Sequence, residues 1–460
     1  MQKSEKRIVL IATSVSSFLT PFMGSSVNIA LPEIGREFAL SAVTLGWIAT
    51  AYILSSAVFL VPFGKLADIH GRKKIFTLGI AVHTLFSYLA PLAPSPALLI
   101  ASRALQGLGG AMIFGTGVAI LSLAFPAGER GKALGINAAC IYLGLSLGPF
   151  LGGLLTQHFG WRSIFYVNGM ISALLLLFTL WKMKEDPSDS TGERLDPIGT
   201  ALYGTAVALL MIGFSRLPAL HGFGFVTAGI GGFIAFVYRE KKSGNPMLNI
   251  KLFRHNTVYA FSNMAALINY CSTAASAFLL SLYLQFVKGQ NPRQAGLILV
   301  FQPIVMTFFS PLAGRLSDRI DSRTIASLGM LINTIALVFL VFLRETTPQG
   351  VVVLALMLLG FGLALFSSPN TNAIMGSVEK RFYGIASAML GTMRLTGQML
   401  SMGITMMIFS IFVGGVRITP AVYKPFMASL RIAFFVFAVL SFAGIFASLA
   451  RGKSKKEENE

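Results

Sequence analysis

Runs of about twenty apolar residues recur fourteen times along this 460-residue chain. Each is long enough to cross roughly 30 Å of hydrocarbon. They fall near 8–31, 43–63, 75–92, 98–124, 133–156, 162–181, 197–215, 222–238, 257–287, 294–314, 324–343, 351–375, 384–413 and 427–450. A backbone in lipid must satisfy its own hydrogen bonds, so it can only be helical or part of a closed barrel. Continuous apolar runs of this length predict helices. Only 12% of residues are charged, about half the share of a soluble domain. The expected fold is an all-α polytopic membrane protein with fourteen spans.

The net charge of +19 could suggest a nucleic-acid partner, but its distribution argues otherwise. With both termini cytoplasmic, 26 of the 37 Lys and Arg fall in cytoplasmic loops and tails, and nine fall outside. That asymmetry follows the positive-inside rule and supports an even number of spans. The start, "MQKSEKRIVLIATSVSSFL", has the layout of a secretory leader. Its apolar run continues to Leu31 without a small-x-small cleavage signal, so it reads as a first, uncleaved span. Cys140 and Cys271 lie inside spans with no metal-ligand spacing, and read as small core residues. Without a nucleophile, acid/base pair or metal cluster at membrane depth, the chain does not read as an enzyme, and no cofactor is implied.

Two polar stretches, 182–199 and 239–256, divide the spans into six, two and six. The expected organisation is an amino-terminal six-helix bundle (1–184), a two-helix linker (185–254), a second six-helix bundle (255–450) and a charged cytoplasmic tail (451–460). The six-helix blocks read as repeats. "GKLADIHGRKK" (64–74) and "GRLSDRIDSRT" (314–324) occupy equivalent loops, so that Gly64/Gly314, Leu66/Leu316 and Asp68/Asp318 align at an offset of 250. Duplicated helical bundles with a site between the halves are a common plan of secondary transporters.

Three further stretches carry chemistry. "RALQGLGGA" (103–111) places Arg103 inside the fourth run, with Gln106 one turn on. A guanidinium cannot deprotonate and costs at least a few kcal/mol in mid-membrane, so a cavity-lining position is expected for it. "GLSLGPFLGG" (144–153) sets Gly144, Gly148 and Gly152 on one helix face, with Gly153 and a bend-inducing Pro149 beside them. In the 64–74 loop, Gly64 allows close helix contact, Gly71 a tight turn, and Arg72 stands within reach of Asp68.

These stretches, with "WRSIFYVN" (161–168), resemble the major facilitator superfamily, specifically its fourteen-helix drug:proton antiporter branch, over essentially the whole chain. The resemblance implies two six-helix bundles plus two inserted helices that rock around a central cavity. It also implies a conformational latch at Gly64, Asp68, Gly71 and Arg72, with a weaker second copy at Gly314 and Asp318. Arg103 would have a coupling role, and the 144–153 stretch would be an antiporter motif that marks export. Multi-pass insertion in the cytoplasmic membrane and a monomer follow by the same analogy.

One departure shapes the substrate. The branch usually carries an Asp nine residues before the proline of "ALP", where this chain has Met23. Of 18 Asp and Glu, 15 fall in cytoplasmic segments, and Glu33, Glu37 and Glu345 at the outer face. The spans offer instead Arg103, Arg394 and neutral groups such as Asn28, Gln106 and Gln398. A site with two cations and no acid suits a neutral or anionic amphipathic substrate. For the coupled proton, Glu33, Asp68 and His83 are the candidates. The alternative is an importer, uniporter or flippase handling a metabolite or lipid.

Overall fold

The computed structural model describes residues 3–183, 196–242, 256–317, 319–379 and 383–452. Most of the expected 185–254 linker loops, Asp318 and nearly all of the tail lie outside those residues. Among the described residues there are fourteen helices long and apolar enough to cross a membrane. We number them α1 (Ser4–Glu37), α2 (Ala42–His70), α3 (Arg72–Leu92), α4 (Pro96–Ala124), α5 (Glu129–Phe159), α6 (Arg162–Lys182) and α7 (Pro197–Arg216). The others are α8 (Leu220–Lys242), α9 (Thr257–Val287), α10 (Pro292–Leu316), α11 (Ser322–Val341), α12 (Gln349–Gly376), α13 (Ile385–Phe412) and α14 (Pro420–Leu449). All fourteen expected spans are present, including 197–215 and 222–238 on either side of a short turn.

Local chemistry explains where the helices begin. Ser41 and Ser95 cap α2 and α4, accepting from the amides of Thr44 and Leu98. Asn291 and Gln294 form a reciprocal capping box at α10, with Pro292 in the first turn. Gly71 separates α2 from α3 at φ +101°, a backbone state that residues bearing a Cβ rarely adopt.

Packing repeats itself when each helix number is raised by eight. Helix α1 packs on α5 as α9 does on α13, and α3 on α4 as α11 does on α12. The pairs α2–α4 and α3–α6 recur as α10–α12 and α11–α14. The repeat holds at the level of atoms. A Cβ at Gly107 would stand 2.3 Å from the Tyr52 carbonyl oxygen, and one at Gly360 2.2 Å from that of Gln302. Thr84 on α3 bonds Ser172 on α6 at 2.7 Å, and Thr334 on α11 bonds Ser441 on α14 at 3.0 Å. The molecule is therefore two six-helix bundles with α7 and α8 inserted.

Helices α7 and α8 pack on each other, and α7 also touches α2 of the first bundle and α13 of the second. Their termini-side ends are tied by Asp196, which caps α7 through the Gly199 amide and receives Arg239 of α8 at 2.8 Å.

Candidate functional site

Arg103 stands seven residues into α4, about 10 Å along a helix rising 1.5 Å per residue, and is 1% exposed. The structure places it inside the first bundle rather than on a cavity wall. The rings of Tyr52 on α2 and Phe165 on α6 cover it, with ring centroids 4.8 Å and 5.9 Å from the guanidinium carbon. The negative faces of these rings attract the cation where no carboxylate among the described residues stands to pair with it. The guanidinium donates to the Gln106 side-chain oxygen and, at 3.4 Å, to the Ile48 carbonyl.

From Gln106 a buried polar chain crosses the bundle. Gln106 Nε2 donates to Ser87 Oγ at 2.8 Å, and Ser87 Oγ donates to the His83 carbonyl at 2.7 Å. Asn168 Nδ2 donates to the Leu19 carbonyl at 3.1 Å, which turns Oδ1 toward His83 Nε2 at 2.9 Å. Nε2 therefore carries the imidazole proton. Five helices, α1, α2, α3, α4 and α6, meet in this network.

The "WRSIFYVN" stretch has a physical account here. Trp161 Nε1 and Arg162 Nη1 donate to Glu37 Oε2 at 2.7 Å and 2.8 Å, joining α6 to the end of α1, while Asn168 anchors the buried network. Met23, at the place of the branch's usual Asp, is fully buried in the apolar core. The buried carboxylates among the described residues are Asp196 and Glu240, both at the termini-side ends of α7 and α8.

The 144–153 glycines use two faces of α5. A Cβ at Gly144 would lie 2.4 Å from the Phe18 carbonyl oxygen, and one at Gly152 2.8 Å from the Ser26 Cα, so this face lies on α1. Gly153 turns the other way, where a Cβ would meet the Pro292 carbonyl at 2.5 Å. A Cβ at Gly296 of α10 would stand closer still to the Pro149 carbonyl, at 2.1 Å. Nearby, Ser281 Oγ and Gln285 Nε2 of α9 donate to the Asn28 and Ile29 carbonyls of α1 at 2.7 Å and 2.9 Å. The two bundles thus meet tightly toward the end opposite the termini.

At the termini end, Arg72 pairs with Asp68 at 2.7 Å within its own loop. The close approach expected at Gly64 belongs to its neighbour. A Cβ at Gly64 would be an ordinary 3.8 Å from Gly115, whereas one at Gly115 would be 3.0 Å from the Leu60 carbonyl. Gly314 is similarly roomy, 3.8 Å from Ser368. Of the remaining expected residues, Asn28, Arg394 and Gln398 are all half-buried. The Arg394 guanidinium lies over Tyr270, 5.4 Å from the ring centroid. They stand apart from the Arg103 network. Sequence reasoning passed over Ser87, Tyr52 and Phe165, whose roles depend on which helices meet. It also passed over Arg451, buried at the end of α14 and bonded to Ser448.

A duplicated, fourteen-span helical fold with an arginine enclosed in its first bundle has the plan of a secondary transporter. Residues 13–244 and 263–460 match the model of the Major Facilitator Superfamily, and the chain belongs to that family. It is 32% identical to the riboflavin transporter RibZ of Clostridioides difficile (strain 630) over 85% of both chains. It is 35% identical to the multidrug resistance protein Stp of Mycobacterium tuberculosis (strain CDC 1551 / Oshkosh), over 85% of this chain and 73% of that one. The fold matches a bacterial homologue of the human lysosomal transporter Spinster, in an inward-facing and occupied conformation, with a TM-score of 0.73. That match covers 100% of this chain and 99% of the other at 17% identity.

Proposed function

We propose that this protein exports neutral or anionic amphipathic compounds across the cytoplasmic membrane in exchange for protons, by alternating access, with both termini cytoplasmic and as a monomer. The observation that carries export is the double seating of α5, with Gly144 and Gly152 on α1 and Gly153 against Pro292 of the opposite bundle. A helix held this closely on both sides acts as the seal on the outer side. The proposed state is inward-facing: the named bonds between bundles lie at the outer end. Arg103 is assigned coupling through Gln106, because its network touches five helices. The likeness to Stp supports a drug-like substrate.

The test is proton release from purified protein in weakly buffered detergent as cationic, neutral and anionic amphiphiles are added. Release on adding a neutral or anionic compound, lost in Arg103→Ala, is the expected result. Binding without release would remove proton coupling, and selective binding of quaternary ammonium dyes would overturn the substrate class. A second reading, transport of a planar metabolite such as a flavin without this coupling, is favoured by the likeness to RibZ over most of both chains.

A further inference from the structure

Helix α13 is enclosed along most of its length. Between 389 and 410 no residue of it is exposed. It meets α7 through Thr396, bonded to Tyr203 at 3.3 Å, and through Gly403, where a Cβ would lie 2.9 Å from Phe214. It meets α9 through Gly397 and α2 through Gly391, whose Cβ positions would be 2.5 Å from the Leu267 carbonyl and 3.3 Å from Leu60. At about 100° per residue, Arg394 lies roughly 200° from Thr396 and about 180° from Gly403. Its side chain therefore leaves α13 opposite α7, in the wedge between α9 of its own bundle and α2 of the other. Gln398, one turn on, points the same way.

Packing does not require an arginine there. The contact of Gly397 with Leu267 and Cys271 repeats that of Gly144 with Phe18 and Phe22 in the first bundle. Aligned on these contacts, Arg394 corresponds to Ile141, Tyr270 to Pro21 and Gln398 to Leu145. The same helix pair packs with apolar residues in one half and carries a cation, a phenol and an amide in the other. Arg394 has no hydrogen bond or ion pair to any described residue, and it is half-buried about 14 Å from the termini end of α13. A permanent cation held at that depth needs water or an anion. Tyr270 is fixed beneath it by its bond to Ser367 at 3.3 Å and by the edge of Phe366.

We propose that Arg394, seated on Tyr270 and flanked by Gln398, is a substrate subsite for planar aromatic compounds carrying a negative charge. The guanidinium lies over Tyr270 and is partly exposed. A planar, delocalised cation of this kind stacks on an aromatic ring, and its edge offers paired N–H donors to a carboxylate or phosphate. Arg103, enclosed by Tyr52 and Phe165, takes no part in this contact. The inference rests on the transport reading, and it narrows the substrate class to aromatic anions.

The test is equilibrium binding to the purified full chain with matched pairs: flavin mononucleotide against riboflavin, and naphthoate and anthraquinone carboxylate against their amides. Aliphatic acids of equal charge complete the set. Acids should bind tighter than their neutral partners, and that preference should fall on the order of tenfold or more in Arg394→Gln. Arg394→Lys should keep a preference for charge and lose that for aromatic over aliphatic acids. Arg394→Ile, the residue of the repeat, should fold with an unchanged melting temperature and lose both. No saturable binding by any aromatic acid, an acid preference untouched in Arg394→Gln, or aliphatic acids binding as well as aromatic ones would each overturn the subsite. Efflux from proteoliposomes is read in parallel. Arg394-dependent binding without transport keeps the subsite and removes the export reading. Transport that ignores Arg394 does the reverse.

Discussion

His83 and Asn333 occupy the same place in the two bundles, 250 positions apart, each one residue before a threonine that bonds the bundle's sixth helix. Each is buried where a glycine brings the next helix close. A Cβ at Gly109 would stand 2.7 Å from the His83 amide nitrogen, and one at Gly362 2.3 Å from the Asn333 side-chain oxygen. Their partners differ. Asn333 donates to Asn269 of α9 at 3.0 Å, whereas His83 meets Asn168 of α6 and reaches Arg103 through Ser87 and Gln106. The duplicated scaffold thus carries a titratable, extended network in one half and a neutral pair in the other.

Asn168→Ala should lower stability by about 1–3 kcal/mol, because the His83 Nε2 proton and the Leu19 carbonyl would both lose their buried partner. Thermal unfolding in detergent reads this. Asn333→Ala removes one donor to Asn269 and should cost less. An unchanged melting temperature in Asn168→Ala would show that His83 does not depend on Asn168.

How much of this was legible in the sequence depends on the length scale of the signal. Spans are written as twenty consecutive apolar residues, so all fourteen could be placed. The repeat was read from Gly64, Leu66 and Asp68, and the same offset continues through Gly79/Gly329 and Thr84/Thr334 into the bundle cores. The surroundings of Arg103 were not legible. Whether that arginine is enclosed or open depends on Tyr52 and Phe165, rings from helices far away in sequence whose rotation no local pattern encodes. Arg394 is the complementary case. Its direction follows only once Gly397, Gly403 and Thr396 have been matched to their neighbours.

Gly71 and Gly64 should respond oppositely to alanine. Gly71 adopts φ +101°, so Gly71→Ala strains the α2–α3 turn by about 1–3 kcal/mol, although nothing crowds its Cβ position. Gly64 is helical with ordinary space around it, and there alanine is the better helix former. Melting temperatures should fall for Gly71→Ala and hold or rise for Gly64→Ala. The reverse order would refute the turn geometry.

The tie between α7 and α8 should survive down to acid pH. Arg239 hydrogen-bonded to Asp196 holds that carboxyl below the usual carboxylate range, with the Gly199 and Ile198 amides adding to the effect and burial opposing it. A depressed folded value means the contribution is complete above the unfolded pKa of about 3.9. It is lost as pH falls through the lower folded value. The protection factor of the Gly199 amide, which donates to Asp196 Oδ1 at 2.9 Å, should hold from pH 7 to about 4 and fall below that. In Asp196→Asn the protection factor should lose that pH dependence. Loss of protection near pH 6 in the wild type would contradict the pairing.

Gly296→Ala should open the outer end without unfolding either bundle. Its Cβ would collide with the Pro149 carbonyl, a backbone atom on the other bundle, so α10 must move away from α5. Gly148→Ala is the control within one bundle. Its Cβ meets chiefly Ser25 Oγ, the tip of a side chain that can rotate, although the Ser25 Cβ at 2.9 Å makes the site tight. Spin labels replacing Phe159 and Phe342, exposed at the outer ends of α5 and α11, would report the separation after Cys140 and Cys271 are substituted. The distance distribution should shift outward in Gly296→Ala, because the steric conflict acts only where the bundles touch, and should stay near wild type in Gly148→Ala. A shift in both variants would mean that packing within the first bundle governs closure, and the α5–α10 contact would lose its role as the seal.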